Sequence, residues 1–329
     1  MLKRTLSLIL SIVLIFTMVL SLCACKDEAG VEYPVTIGDL TIEKEPLNIV
    51  VLSDCLSDAI SYMGYDVKMV GRNLESDQEF LSVVPIVGTA QEPNIDSIFS
   101  YEADLVIAED TLSENAKSTL AQNNIPLLVL NRANSFEELN SLYINLGTAL
   151  GGNVTGKAHG KASYDELMKT ISDFEDAVPG SIVKTACYLY VDEHGTLCTL
   201  TKDTIEYELF SHCAAINVFS SQQEPQVDLE QLKISTPSFI FYDDKAVLDI
   251  LNENDELSNM NAIKENHTYQ IKKRDFYRQG KTYEEIIYQM IEFMFVKSEA
   301  TPDDVTPSQT QAETQAEAQT ETSVGFVSD

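Results

Sequence analysis

Residues 92–109 read EPNIDSIFSYEADLVIAE. Asn94 and Asp96 stand ahead of an amphipathic turn and a half that carries Ile95, Ile98 and Phe99 on one side. Residues 103–108 then become a short apolar run that closes on Glu109 and Asp110. A helix start, a helix and a strand apolar on both faces make half of an α/β unit. Strands of that kind lie inside parallel sheets covered by helices on both sides. A ligand of such a sheet binds beyond the carboxyl ends of its strands.

The flanking sequence repeats the alternation. A strand-like lead at 35–42 precedes LNIVVLS at 47–53, a β-branched run fit for a buried strand. Asp54 or Ser57 is placed to cap a helix over 58–63, which Gly64 ends. A strand at 67–70 leads into Gly71, Arg72 and Asn73, and residues 85–88 lead into the opening stretch. A helix over 115–122, a strand at 127–130 ending on Asn131 and Arg132, and a helix from 135 to Gly151 and Gly152 follow. Residues 155–177 keep apolar residues at helical spacing, interrupted only by Gly156 and Gly160, and twenty or so such residues span about 30 Å. Beyond Pro179-Gly180, strands at 184–191, 216–219 and 238–242 alternate with helices at 204–214 and from 228. The pattern predicts α/β architecture with largely parallel sheets.

The order of these pieces is specific. IVVLS with SDAI, MGYDVKMVGR, PIVGTAQEPNIDSIFSYEADLVIA, NNIPLLVLN and NLGTALGG resemble the first lobe of the substrate-binding lipoproteins that deliver ferric siderophores, haem or cobalamin to ABC importers. VDLEQL, TPSFIFYDD, NAIKENHTYQI and YEEIIYQMIEFMF resemble their second lobe. Asp96 stands where glutamate is usual, Ala103 where proline is, Asn266 where glycine is, and Ala215 replaces the glycine before the short strand. The resemblance covers about residues 45–296. It implies two Rossmann-like lobes joined by one long helix at 153–180, with a first lobe at 45–152 and a second at 181–296. A stiff helical joint implies small relative motion of the lobes.

It also implies a function: capture of an iron complex, siderophore or haem, for delivery to the permease subunits of an ABC importer, by a monomer without catalytic activity or cofactor. Cobalamin is the alternative ligand, and a surface adhesion or sensor module the alternative role. The pocket would be lined by loops after the strands of both lobes, where arginines match anionic chelates and tyrosines supply apolar contact. Arg72, Arg132, Tyr190, His194, Tyr242 and Arg278 are the candidate ligand contacts. Haem would want an axial Tyr or His, which Tyr190 or His194 supplies. One acid per lobe, Asp96 and Glu230, stands where the family docks on the permease. Acids at helix starts also favour the helix dipole without any partner.

The ends of the chain read differently. Lys3 and Arg4 precede an apolar run over 6–22, as in an exported protein's leader, and a retained membrane anchor is the other reading of such a run. Leu22-Cys23-Ala24-Cys25 resembles the bacterial lipobox, with Cys25 the acceptor because bulky Leu22 precedes Cys23. That implies cleavage of 1–24, a tether and lead-in over 25–44, and a lipid anchor on the outer face of the membrane. Residues 297–329 are Thr, Gln, Glu, Pro and Ala with little apolar bulk, so this acidic tail is expected to be disordered.

Composition and chemistry exclude other classes. With 52 Asp+Glu against 22 Lys+Arg, a formal net charge of -30 gives nucleic acid no cationic surface. The cluster Lys272-Lys273-Arg274 is expected to be a solvated strand end. No GxSxG, HExxH or phosphate-cradling loop occurs, and the histidines 159, 194, 212 and 267 are scattered. Cys55, Cys187, Cys198 and Cys213 lack metal-site spacing. Cys187 and Cys198 flank a turn-prone DEHG, so buried free thiols and a bridge across the turn both remain open.

Overall fold

The computed structural model describes residues 30–180 and 183–297. The expected signal peptide at 1–24, the expected acylation site Cys25 and the tail from 298 onward lie outside the described residues. The chain divides into two compact units, with the divisions after residues 133, 136 and 166.

In the first unit the lead is a hairpin of two strands rather than one strand, β1 Val35–Ile37 and β2 Leu40–Ile42, turned at Gly38. Strand β3 Ile49–Leu52 leads into helix α1 Asp54–Tyr62. The cap is Ser53, not Asp54 or Ser57: the Ser53 hydroxyl accepts from the Leu56 amide at 3.1 Å. Residues 66–68 form a 3-10 turn, so β4 starts late, at Met69–Arg72. Helix α2 Ile95–Ser100, β5 Leu105–Ala108, α3 Glu114–Gln122, β6 Leu127–Val129 and α4 Phe136–Gly151 follow. The sheet order is β4-β3-β5-β6, parallel throughout. Val50, Leu52, Val106 and Ala108 pack with Ile98, Ala116 and Leu120 of α2 and α3. Ile49, Val51, Leu105 and Ile107 alternate to the opposite face and are equally buried, which is why the strands read as unbroken apolar runs. Asp104 of the opening stretch has a structural task. Its carboxylate accepts from the amides of Leu47 at 2.9 Å and Asn48 at 3.1 Å, pinning the entry of β3 beside that of β5.

Gly156 and Gly160 do not interrupt the following helix. A π-helical turn over Gly152–Gly156 runs into α5, Lys157–Asp176. Both glycines lie where the α5 side of this corner presses on the α4 backbone: a Cβ on Gly160 would sit 2.2 Å from the Tyr143 carbonyl oxygen. Residues 32 and 33, read as tether, are fixed to the same corner. The Glu32 carboxylate accepts from the amides of Val154 at 2.9 Å and Thr155 at 3.1 Å and from the Thr155 hydroxyl, and Tyr33 donates to the Ala149 carbonyl at 3.1 Å.

The second unit contains β7 Thr185–Val191, β8 Leu197–Thr199, α6 Ile205–Ser211, β9 Ile216–Asn217, α7 Leu229–Ser235, β10 Phe239–Tyr242, α8 Lys245–Glu253, α9 Asn261–Lys264, β11 Thr268–Gln270 and α10 Lys281–Phe295. The order is β11-β10-β7, parallel, with β8 antiparallel and β9 parallel on the far edge of β7. Cys187, Leu189, Leu197 and Ile240 face Leu232, Val247 and Leu251 of α7 and α8. The other face is aromatic, with Phe241 edge-on to Phe210 of α6 and Phe293 of α10. Asn266 adopts φ 55°, a left-handed conformation that asparagine tolerates better than most side chains, so it replaces the family's glycine at little cost. The other left-handed position near a missing glycine falls on Ala214 rather than Ala215, at φ 58°.

Candidate functional site

The carboxyl ends of the first unit's strands converge in one polar network. Ser53, after β3, donates to Glu109 Oε1, after β5, at 2.5 Å. Asn131, after β6, accepts from the Asp110 amide at 2.9 Å. Lys117 reaches Asp110 at 3.2 Å and Glu114 at 2.9 Å, and these two partners hold its ammonium above the usual lysine range. Arg132 is half-buried in this network and acts on the buried Cys55 thiol. Burial first, then the Glu109 charge, pushes that thiol well up, and Arg132 opposes them. Arg132 thus stands where a ligand contact was expected.

Arg72 does not. It is the last residue of β4, 9% exposed, with Nε donating to the carbonyls of Leu81 and Val84 at 3.0 Å each and Nη1 to that of Ser76 at 2.6 Å. The guanidinium expected to meet ligand is committed to the loop 73–86, which it ties down from inside. That loop in turn exposes Leu74, Phe80, Val83 and Ile86, with Val83 87% exposed. Sequence reasoning passed over this apolar rim. The usable signal was FLSVVPIV at 80–87, too apolar for a loop that only meets water.

In the second unit the carboxyl ends of β7, β10 and β11 bring Tyr190, Asp192, Asp243 and Lys273 to one rim. Tyr190 lies opposite Cys198 in the β7–β8 register, half-buried, and burial first, then the neighbouring Cys198, pushes its phenol up to about 12. The ammonium of Lys273 sits 3.6 Å from the centroid of the Tyr190 ring. The Lys273 amide donates to Asp243 Oδ1 at 2.7 Å. The middle residue of the basic cluster is therefore half-buried, a correction to its reading as a solvated strand end. Lys272 and Arg274 on either side are exposed.

The other expected ligand contacts disperse. Asp192 accepts from the amides of His194 at 2.9 Å and Thr196 at 2.8 Å, which hold its carboxyl below the usual range, and this turn presents the His194 side chain to solvent at 78% exposure. Tyr242 lies beside Leu189 on the face packed by α7 and α8, opposite to the face of Tyr190. Arg278 is 8% exposed and pairs with Asp275 at 3.4 Å, so its charge is neutralised within the unit. The same alternation settles the cysteines. Cys187 faces the α7–α8 core while Cys198 shares the face of Tyr190, so no bridge spans them, and all four cysteines among the described residues are buried free thiols. Among the described residues no group of three His, Cys, Asp or Glu is placed to hold a metal ion.

The two expected docking acids open helices that run back from the carboxyl ends of the strands: the Asn94 amide donates to the Val87 carbonyl beside the end of β4, and the Val227 amide to the carbonyl of Leu197, which pairs with Val191 at the end of β7. Asp96 and Glu230 are both exposed in the first turns of α2 and α7, but neither is the cap: Asn94 accepts from the Ser97 amide at 3.0 Å, and Asp228 from the Glu230 amide at 2.9 Å. Glu230 pairs with Lys233 at 2.6 Å, and Lys233 pairs with Glu256 at the same distance. Among the described residues Asp96 forms no ion pair. A concavity of about 630 Å³ lined by Lys184, Lys233, Phe239, Glu256 and His267 opens at the amino ends of β7 and β10, beside the Glu230 pair and away from the carboxyl-end rim.

The sequence matches the periplasmic binding protein family over residues 49–274, a span that includes every strand of both parallel sheets, and the chain belongs to that family. It is 27% identical over 255 residues to YvrC of Bacillus subtilis, an uncharacterized ABC transporter substrate-binding lipoprotein, across 73% of this chain and 78% of that one. It is 24% identical over 245 residues to the Fe(3+)-citrate-binding protein YfmC of the same organism, across 70% and 75%. The crystal structure of the periplasmic haem-binding protein HutB of Vibrio cholerae matches with a TM-score of 0.64 at 14% identity, over 76% of this chain and 99% of its own, a likeness of fold.

Proposed function

We propose that this protein is the extracytoplasmic solute-binding component of an ABC importer, that its cargo is a metal chelate of the ferric siderophore, ferric citrate, haem or cobalamin kind, and that it performs no catalysis. The observation that carries this reading is the family match over 49–274, which includes the strand ends on which both polar rims are built. Arg132 in one rim and Tyr190 in the other are the expected ligand contacts that stand just beyond or at strand ends. Arg72 contributes by holding the apolar 73–86 loop in place. Tyr190 is a poor axial ligand, because burial holds its phenol at about 12 and Lys273 covers one face of the ring. That favours a chelate that brings its own complete coordination shell over haem.

Asp96 and Glu230 serve as the docking points for the permease, and acylation of Cys25 holds the protein at the membrane. The acids are not equivalent, since Lys233 already neutralises Glu230. Reversing both charges should abolish uptake in cells and leave ligand affinity unchanged.

Thermal-shift screening against ferric citrate, ferric siderophores, haem and cobalamin tests the reading. Ligand binding stabilises by RT ln(1 + [L]/Kd), about 2.7 kcal/mol at a hundredfold excess over Kd. A melting temperature that none of them moves would refute the proposed cargo.

A further inference from the structure

We infer that Lys273, seated on the face of Tyr190, is the anion-contacting cation of the second unit's rim, and that the cargo is therefore a chelate with negatively charged oxygens on its periphery. This rests on the solute-binding reading above and narrows it.

Among the described residues the Lys273 ammonium has no hydrogen-bond acceptor and no ion pair, and its one close partner is the Tyr190 ring at 3.6 Å. Three N–H donors are thus unspent. The carboxylates of Asp243, Glu206 and Asp192 act on the charge without a hydrogen bond to the ammonium; Asp243 Oδ1 takes the Lys273 amide and Asp192 Oδ1 two amides of its own turn. A surface lysine ordinarily lays its methylenes on the protein and keeps the ammonium in water. Here burial is the leading influence on the charge and holds it below the usual lysine range, so the ammonium itself is partly desolvated. A partly buried ammonium with no hydrogen-bonded acceptor is unfavourable unless something completes it. A π face attracts the cation within about 6 Å and leaves its N–H groups directed elsewhere.

The place matches the chemistry. Tyr190 is next to last in β7, and Lys273 follows β11 by three residues, so both stand at the carboxyl-end rim of three parallel neighbours. A carboxylate of a citrate-type chelate would supply the missing acceptors and form charge-assisted hydrogen bonds. Cobalamin, whose corrin periphery carries neutral amides, would offer carbonyl acceptors there but no compensating negative charge.

The test uses the purified full chain and calorimetric titration with ferric citrate and with cobalamin. The wild type should bind ferric citrate, less tightly as salt rises to about 0.5 M. Lys273→Met should weaken binding about tenfold or more, the scale of one lost charge-assisted hydrogen bond, and flatten the salt dependence. Lys273→Arg should keep most of the affinity, and Lys272→Met all of it. The Lys273→Met melting temperature should equal or exceed the wild type's, which separates loss of an anion contact from loss of fold. Ferric citrate binding that is indifferent to Lys273→Met overturns the inference and leaves the solute-binding reading intact. So does binding of cobalamin alone. A wild type that binds no metal chelate overturns both.

Discussion

Replacing Gly160 with alanine should lower the melting temperature, although alanine is the better helix former. Two effects oppose each other. Alanine in a helix interior is favoured over glycine by about 1 kcal/mol. Against this, a Cβ on Gly160 would lie 2.2 Å from the Tyr143 carbonyl oxygen and 2.9 Å from its carbonyl carbon, and at Gly147 a Cβ would lie 2.3 Å from the Gly156 oxygen. These are backbone atoms and cannot rotate aside, so the corner between α4 and α5 must open by about 1 Å, enough to forfeit a quarter to a half of each contact's dispersion energy. Tyr143 is fully buried there, edge-on to Tyr62 and Tyr164 at 6.3 and 6.2 Å. Overpacking of this kind costs about 1–3 kcal/mol, here at the upper end. The net is a loss of about 2 kcal/mol after the gain in helix propensity. At about 2–4 °C per kcal/mol for domains of this size, the midpoint should fall by about 4–8 °C. Circular dichroism melting of the ligand-free protein measures it. An unchanged or raised midpoint would mean that propensity wins and the two helices are not in backbone contact.

Arg72→Met should leave the loop carbonyls of Ser76, Leu81 and Val84 without their donor, cost about 2 kcal/mol or more, and open residues 74–84 to limited proteolysis. Arg72→Lys should not rescue it, because an ammonium cannot reproduce the planar fork. The Glu32 carboxyl is held below the usual glutamate range chiefly by the Thr155 hydroxyl and the Val154 amide. Its grip on the 152–156 turn is therefore present above the unfolded glutamate pKa and is lost as pH falls through the folded one. Amide exchange at Val154 and Thr155, corrected for intrinsic rates, should rise on acidification in the wild type and be high at every pH in Glu32→Gln. Burial raises the thiols of Cys55, Cys187 and Cys213, the last to about 12, so a form starting at Lys26 should react with a thiol reagent only after denaturant is added. Fast labelling of the native protein at any of these three would contradict their burial.

The strands were the most legible part of the chain because burial on both faces leaves an unbroken apolar word: IVVL, LVIA and FIFY need no context. Caps were legible in kind but not in place, since Ser53, Asp54 and Ser57 all have cap chemistry and only the strand's exit direction selects Ser53. The site was much less so. Arg72 and Lys273 are both more buried than expected for one reason, that a cation's burial depends on what crosses over it. A loop returning nine to twelve residues later folds its carbonyls around Arg72. A tyrosine from a strand some eighty residues earlier lies under Lys273. Tyr190 and Tyr242 look interchangeable in sequence, yet strand parity and register send them to opposite faces of one sheet. The same parity separates Cys187 from Cys198, and it follows from a β7–β8 register that no local pattern specifies.

The clasp formed by Glu32 and Tyr33 sets the length of the leash. With the acyl chains proposed on Cys25, only six residues separate it from Glu32, and the seven Cα steps reach at most about 25 Å. A body held so closely searches a thin layer of solvent above the lipid rather than a wide hemisphere, so its effective concentration at a membrane transporter is high even when its intrinsic affinity for that transporter is weak. Any pull along the leash also enters the fold at the turn that opens α5.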